Sequence, residues 1–484
     1  MRVRMIAALA TSVALAGAGV AALPLTAQGA EPAKAFDFNG DGFRDHVTGL
    51  PRGTVGGVTY AGYVSVVPGG KSGPSGAGAY RISQSSSGVP GTSEQYDAFG
   101  TEFDSADLNA DGYADLVVSV PSEDEGAGRL VALWGSKSGL SGGTTVASTT
   151  GYAGYGGQGL KIVDVTGDGT ADIVGANDGD EVDSLGYVKG PFTPSSTAAA
   201  LTRIDAYLPH FTSINGFAAG DFNGDGRPDL AATFNGLENR GTTLLRGTPT
   251  GLEQATDWYD ESYGSALVAG DIDKDGFTDL AYGVAGAGSQ EDEEPPQYPV
   301  APGNGGTVRV VYGSASGPAG AKPPEDITQE TPGVPGTGTG ASEEQDGFGS
   351  ELATGDVDAD GRADLAIGTP GEDIGTTADA GAVTVLFGRG GAQSFNQGSP
   401  GIAGSNEAKD RFAATVVLRD VSGDGRADLA AGIPGEDGGT GRVAVLPATA
   451  DGVLTGDPSR NLTPAALGLP AQSVKLNFGA NLGH

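Results

Sequence analysis

The chain has 484 residues, no cysteine, and a formal charge of −34 from 61 acidic against 27 basic side chains. The missing cysteines exclude disulfides, thiol catalysis, thiolate metal sites and a lipoprotein attachment site together. The acidity argues against nucleic acid and anionic membrane surfaces as partners.

Residues 1–30 read as a secretory signal peptide. Arg2 and Arg4 give a basic start, Met5 to Val20 is apolar, and small residues around Ala27 and Ala30 offer a cleavage site. The apolar part is short and glycine-rich for a membrane anchor, and no later segment is long and apolar enough to cross a bilayer. Because Arg2 and Arg4 are not a twin pair, export by a general route is expected, leaving residues 31–484 as a secreted, extracellular protein without a membrane span.

A nine-residue phrase then recurs seven times, with Asp at positions 1, 5 and 9, Gly at 6, and a short oxygen-bearing side chain at 3. In chain order these residues are Asp37, Asn39, Asp41 and Asp45; Asp107, Asn109, Asp111 and Asp115; Asp164, Thr166, Asp168 and Asp172; Asp221, Asn223, Asp225 and Asp229; Asp271, Asp273, Asp275 and Asp279; Asp356, Asp358, Asp360 and Asp364; Asp420, Ser422, Asp424 and Asp428. A tight loop whose odd positions point inward supplies the hard oxygen ligands that Ca2+ takes, six to eight in all, with a carbonyl such as that of Arg362 as a further donor. The glycine lets the chain turn back towards the ion. Up to seven calcium ions are expected, with the third and seventh sites weakest because the hydroxyls of Thr166 and Ser422 carry less charge to the ion than a carboxylate.

An EF-hand loop would need an acidic residue at position 12 and a flanking helix. Position 12 is Thr48, Val118, Gly175, Ala232, Tyr282, Ile367 and Ala431, so that alternative fails. Three Asp in each loop and a fourth in two make 23 of the 61 acidic residues, and seven divalent ions would bring the charge to about −20. The acidity is therefore mostly a consequence of the loops.

The loops start at 37, 107, 164, 221, 271, 356 and 420. One unit is repeated, and its size matches a propeller blade of four short strands. The sixth unit shows the plan best. Phe348-Gly349 opens a strand running through Leu352 to Gly355, the acidic loop follows, Leu365 to Gly368 is a second strand, Gly381 to Gly388 an alternating third, and a fourth precedes Phe412. A calcium-binding nonapeptide β-helix would repeat far more often. The fold class expected is all-β, a seven-bladed β-propeller with calcium-binding loops. Near the C-terminus, Asn477 to Leu482 repeats the opening phrase that the first loop lacks, so the last residues are expected beside the first strand, closing the ring.

The sixth unit, FGSELATGDVDADGRADLAIGTPGED followed by GAVTVLFG, resembles the FG-GAP repeat of the integrin α-chain propeller and of bacterial VCBS-type relatives. The likeness is sharp in units two, six and seven and looser in three and four, where only the acidic loops are strong. The resemblance implies a seven-bladed propeller with calcium between first and second strands, and roles in adhesion and in protein or glycan binding. The same repeat accompanies a glycosylphosphatidylinositol-specific phospholipase D, but no separate catalytic domain is seen here. Integrin-type legs, a membrane span and an inserted ligand-binding domain are missing too, so heterodimeric receptor function does not carry over.

Little else suggests chemistry, and no catalytic residue is assigned. The histidines are His46, His210 and His484. Gly139 to Gly143 formally matches a nucleophile elbow, yet GGKSGPSG, GSKSGLSG and GSASGPAG recur after third strands and read as a hairpin turn. Gly69-Gly70-Lys71-Ser72 lacks the earlier glycine of a phosphate-binding loop. Glu291 to Pro299 is an acidic, then proline-rich insertion, read as solvated. Trp134 is expected in the core, and Trp258 with Tyr259 and Tyr263 is a candidate contact. The functional expectation is a secreted calcium-binding propeller, monomeric and without enzymatic activity, that binds an extracellular protein or glycan. A hydrolase acting on phospholipid or polysaccharide and a structural wall or matrix component are the alternatives.

Overall fold

The computed structural model describes residues 32–126, 128–148, 159–177, 184–204, 213–235, 240–260, 266–284, 305–335, 346–457, 460–472 and 474–483. The expected signal peptide, the insertion at 291–299, Tyr263, His210 and His484 lie outside them, as do the side chains of Trp258 and Tyr259.

Seven antiparallel sheets follow one another along the described chain, six of four strands in sequence order and the first of three. In blade 6 the strands are Glu351–Gly355, Asp364–Thr369, Ala382–Leu386 and Ala392–Phe395, with Gly355 opposite Asp364 and Leu365 opposite Leu386. Each sheet thus begins near the ring axis and steps outwards. The second strands read as unbroken apolar runs because both their faces are covered. Asp115–Val120, Asp279–Val284, Asp364–Thr369 and Asp428–Ile433 are buried at every position, whereas the outer strand Ala392–Phe395 is half-exposed throughout.

The core is divided into seven apolar clusters, each shared by two adjacent blades. One joins Val66 and Val131 of blades 1 and 2 through Phe99. Another joins Val443 of blade 7 to Tyr63 of blade 1 through Phe478 and Leu482. With seven blades and seven shared interfaces, the sheets form a closed ring, a seven-bladed β-propeller. Trp134 is buried in the interface of blades 2 and 3, its indole N–H donating to Thr144 Oγ1 at 3.0 Å, as expected of a core residue.

The opening phenylalanines are the keys between blades. Phe99, Phe348, Phe412 and Phe478 are fully or almost fully buried, and the amides of Phe99, Phe412 and Phe478 donate to Ala61, Ala380 and Thr440 O of the preceding blade at 3.0, 2.8 and 3.1 Å. The turn after the phenylalanine packs on the second strand of the preceding blade so closely that glycine is required there. A Cβ on Gly283 would lie 1.9 Å from Gly349 O, and one on Gly432 1.8 Å from Gly479 O. This contact accounts for part of the glycine content.

The C-terminal segment does close the ring. Gly49 N donates to Asn481 O at 3.0 Å, the place that Thr415 O takes for Gly432 N at 2.9 Å in blade 7. Residues 478–483 and the segment entering the first acidic loop together line the inner edge of blade 1. Both touch Arg419, whose guanidinium lies 3.4 Å from the Phe36 ring centroid and 3.4 Å from Gly483 O.

Candidate metal centres

Six of the acidic nonapeptides link the first and second strands of their blades, and the one at 37–45 leads into His46–Leu50, which stands in the second-strand place of the three-stranded blade 1, so all seven loops lie at the same end of the antiparallel sheets. The connections between second and third strands, and from one blade to the next, lie at the other end.

Inside each loop the side chains fold the backbone around themselves. Asp356 accepts the amides of Asp360 and Gly361 on its two oxygens at 3.1 and 2.8 Å, Asp358 Oδ1 accepts Asp360 N at 3.1 Å, and Asp360 Oδ1 accepts Arg362 N at 2.8 Å. Asp107, Asn109 and Asp111 make the same set, as do Asp37, Asn39 and Asp41, and Asp221, Asn223 and Asp225. In the fifth loop Asp271 and Asp275 keep their part of it. The third and seventh loops keep the contacts of Asp164 and Asp168 and of Asp420 and Asp424. There the third position differs. Thr166 contributes its amide to Asp172, and the Ser422 hydroxyl donates to Asp420 at 3.4 Å.

The glycine at position 6 is left-handed in all seven loops, with φ from +83 to +91 at Gly361 and Gly276 and between those values elsewhere. Position 4 is left-handed too, at Gly40, Ala110, Gly167, Gly224, Lys274, Ala359 and Gly423. Sequence reasoning passed over it, although glycine in four of seven copies is a readable signal.

Positions 1, 3 and 5 consequently face one another. Carboxylate oxygens of Asp271, Asp273 and Asp275 lie within 4.8 Å of one another, and so do those of Asp356, Asp358 and Asp360. The donors are hard oxygens, the set that suits a divalent cation of the calcium or magnesium type. Asp273 Oδ1 is also buried with no hydrogen-bond partner. A buried carboxylate oxygen in that condition is destabilising unless a cation meets it, so the fifth loop fits such an ion. Basic side chains compete at several loops: Lys189 Nζ lies 2.9 Å from Asp168 in the third, Arg389 Nε 2.8 Å from Asp358 in the sixth, and in the fifth Lys322 Nζ lies 3.8 Å from the other oxygen of Asp273.

The Asp at position 9 has a second task. One oxygen of Asp45, Asp115, Asp229, Asp279, Asp364 and Asp428 accepts the amide of loop position 2, and one oxygen of Asp172 accepts that of Thr166 at position 3. The other accepts an amide just beyond the third strand, from Gly69, Gly135, Gly190, Gly247, Gly313, Gly388 and Ala448 at 2.8–3.0 Å. This carboxylate therefore fastens loop to sheet, and each oxygen retains a lone pair for an ion. Burial pushes Asp45 and Asp115 up to about 7 and Asp229, Asp279, Asp364 and Asp428 to about 6, against the lowering by these amides. Asp172 is raised by the same cause. A bound divalent charge would favour the ionised forms.

Neighbouring loops are joined by their backbones. The position-8 amide donates to the position-1 carbonyl of the preceding loop: Ala114 N to Asp37 O at 3.0 Å, Thr278 N to Asp221 O at 3.0 Å, Ala363 N to Asp271 O at 2.8 Å and Ala427 N to Asp356 O at 2.7 Å. The fourth loop has Pro228 at this position and no N–H to give.

His46 stands apart from any such chemistry. It is buried, its Nε2 lies 3.3 Å from Thr48 Oγ1, and burial, with the Arg419 charge, holds it down to about 3. The serine of the elbow-like segment begins the fourth strand of blade 2, after a turn in which Gly139 N donates to Ser136 O. The same bond recurs from Gly73 to Gly70 and from Gly317 to Ser314, which bears out the hairpin reading. No helix among the described residues is long and apolar enough to cross a membrane.

The FG-GAP repeat pattern matches residues 29–67, 99–133, 263–311, 348–386 and 412–446, and an FG-GAP-like repeat matches 221–282. Units one and five are thereby included, beyond the three in which the motif is sharpest by eye. Mouse phosphatidylinositol-glycan-specific phospholipase D is 30% identical over 179 residues, 36% of this chain and 19% of its own length. Integrin alpha-PS2 of Drosophila melanogaster is 39% identical over 103 residues, 20% of this chain and 7% of its own length. The chain thus spans a fifth or less of these relatives. Among solved structures, a Bacillus licheniformis rhamnogalacturonan lyase aligns over 56% of this chain and 50% of its own, with 13% identity and a TM-score of 0.32. The repeat pattern, the opening phenylalanines between blades and the acidic loop at each first-to-second strand junction agree, and the chain is a seven-bladed β-propeller built of FG-GAP repeats.

Proposed function

We propose that the protein is a secreted, calcium-stabilised binding propeller that acts outside the cell as a monomer, engages an extracellular protein or glycan, and turns over no substrate. The observation that carries the calcium assignment is the buried Asp273 oxygen with no hydrogen-bond partner, set among the carboxylates of Asp271 and Asp275. A bound ion supplies a divalent charge that offsets the repulsion of the clustered carboxylates. The chain's own residues do the rest. Positions 1, 3 and 5 hold the charge, position 9 ties the loop to the end of the third strand, and the position-8 amide passes the ordering to the loop before it. One end of the ring is thereby stiffened, which leaves the loops at the other end as the working surface.

The relation to an integrin α chain supports the extracellular binding role, while the relation to a phospholipase D keeps hydrolysis as the competing outcome. The test is capture of surface proteins and polysaccharides by the mature chain in calcium and again in chelator, with phospholipid and polysaccharide turnover followed in parallel. Calcium-dependent capture without turnover is expected. Turnover that is lost on replacing a single His or Ser would overturn the reading.

A further inference from the structure

The end of the ring away from the acidic loops carries two side chains that packing does not account for. Tyr60 lies in the connection between the strands His46–Leu50 and Tyr63–Val67 of blade 1, and Tyr96 in the passage from blade 1 to blade 2. Their rings stack with centroids 5.3 Å apart and 26° between planes. Tyr96 is 60% exposed and is the one exposed large hydrophobic side chain among the described residues. With Tyr60 covering one face of its ring, the other face is open to solvent.

The backbone holds both tyrosines in conformations that bulky residues avoid. φ is +59 at Tyr60, +76 at Tyr96 and +58 at Ala98. The same turn recurs elsewhere without aromatic residues. Ala98 N donates to Tyr60 O at 3.1 Å; between blades 6 and 7 Arg411 N donates to Asp379 O at 3.1 Å, and between blades 7 and 1 Asn477 N donates to Gly439 O at 2.9 Å. In those copies Asp379 and Lys409, or Gly439 and Lys475, stand where this one has Tyr60 and Tyr96. The same left-handed backbone is present there, with φ of +53 at Asp379 and +70 at Lys409, so the conformation belongs to the turn and the two aromatic rings are an addition that the turn does not need. Around the pair the groups are polar and short. Gln95 Nε2 donates to Thr59 Oγ1 at 3.2 Å, linking the two loops, and a Cβ added to Gly56 or Gly57 would meet nothing within 4 Å.

We propose that the outer face of Tyr96, backed by Tyr60 and flanked by Gln95 and Thr59, binds an uncharged pyranose ring of an extracellular polysaccharide. This rests on the binding-module reading and names its partner class. A pyranose offers an apolar C–H face edged with hydroxyls; a rigid amphipathic ring meets the first, and an amide and a hydroxyl meet the second. The patch is one ring wide, whereas a stable protein interface buries about 800 Å² per partner. A charge of −34 opposes polyanions. The two rings lie against each other and do not box a cavity, so they do not enclose a quaternary ammonium group.

The test is retention of the full chain, in calcium, on starch, cellulose, mannan, β-1,3-glucan and galactan, beside alginate, choline-agarose and protein baits. Retention on at least one neutral polysaccharide is expected, weakened about tenfold or more in Tyr96→Ala and unchanged in Lys409→Ala, the matching position of the blade 6 to 7 turn. Retention on none of the neutral polysaccharides, or equal retention of Tyr96→Ala, overturns the proposal. Loss in Tyr96→Ala of choline-agarose binding or of self-association, with no polysaccharide bound, does so too. Capture of a protein bait that Tyr96→Ala leaves intact sinks this inference while sparing the binding-module reading, and capture of nothing at all sinks both.

Discussion

The amide of Gly49, in the first strand of the sheet that opens the chain, donates to the carbonyl of Asn481 at 3.0 Å. Asn481 also reaches forward, its Nδ2 donating to Thr101 O at 2.6 Å in blade 2. The last residues thus hold blades 7, 1 and 2 together, with Phe478 and Leu482 buried in the shared core. Deleting residues 473–484 should lower the melting temperature sharply. Phe478→Ala alone should cost about 3–5 kcal/mol, the usual range for emptying a fully buried phenylalanine site. Denaturant unfolding of the two variants checks this; an unchanged midpoint in the truncated chain would show that the ring closes by other means.

The backbone bonds between acidic loops make calcium sites communicate. Ala427 N donates to Asp356 O at 2.7 Å, so ordering of the sixth loop helps to fix the seventh. Ala427→Pro removes that donor in a loop that should tolerate proline, since the fourth loop carries Pro228 at the same place. The expected result is weaker calcium binding at the seventh site by about 1 kcal/mol, roughly fivefold, with the first four loops unaffected. Titration calorimetry or lanthanide luminescence would read it. Chelation should lower the unfolding free energy of both proteins by about 2.7 kcal/mol for each site that had been held at a hundredfold excess over its dissociation constant, and the melting temperature with it.

Blades 4 and 5 are joined by a buried ion network that performs no evident chemistry. Arg309 forks onto Asp326 through Nε and Nη2 at 2.7 and 2.9 Å, and its Nη1 donates to Asp260 Oδ2 at 2.9 Å, where the Tyr282 hydroxyl also donates at 2.5 Å. Arg309 is 1% exposed. Arg309→Met would leave the buried Asp260 and the half-buried Asp326 beside an apolar side chain, and a loss of about 3–5 kcal/mol is expected. Thermal unfolding of Arg309→Met and Arg309→Lys is the measurement, with the lysine variant falling between; a methionine variant as stable as the parent would show that the network adds nothing.

His46 gives the ring an acid-sensitive component. Burial, then the Arg419 charge, holds its imidazole down to about 3 in the folded chain, against about 6.5 when unfolded. The folded pKa is depressed, so below 6.5 the unfolded state takes the proton first. The stability due to neutral His46 is present above that pH and is lost as pH falls towards 3. The difference in unfolding free energy between the parent and His46→Gln should change against the parent by about 2 kcal/mol between pH 7 and pH 5. A cation in the adjacent loop acts in the same direction. A difference that stays constant over this window would rule out the titration.

What the sequence made legible is what each unit repeats. The acidic loop could be read alone because positions 1, 5 and 6 act within nine residues, and Phe478 could be read as a ring closer because it copies Phe412. The openings of units three and four were hidden because Gly156 and Ser213 stand eight residues before the acidic loop, where Phe99, Phe348 and Phe412 stand in the legible units. The double use of position 9 was written in the glycines after the third strands, Gly135 among them, where a Cβ would lie 2.2 Å from Ala114 O; one loop does not reveal it. Tyr60 with Tyr96, and Arg309 with Asp260 at a separation of 49 residues, meet only once the sheets have docked. Nothing periodic marks them.

The Gly49 to Asn481 bond also sets an order of events in time. The first blade lacks its innermost partner until residues 478–483 arrive, and Asn481 is 381 residues beyond Gly100, the neighbour it finally touches. Until then Gly49 lies on an open sheet edge able to pair with another chain. Contacts so distant form late and expose such edges while they wait. A chain stalled before residue 478 should therefore aggregate through blade 1, and the commitment to a stable ring waits for residues 478–483.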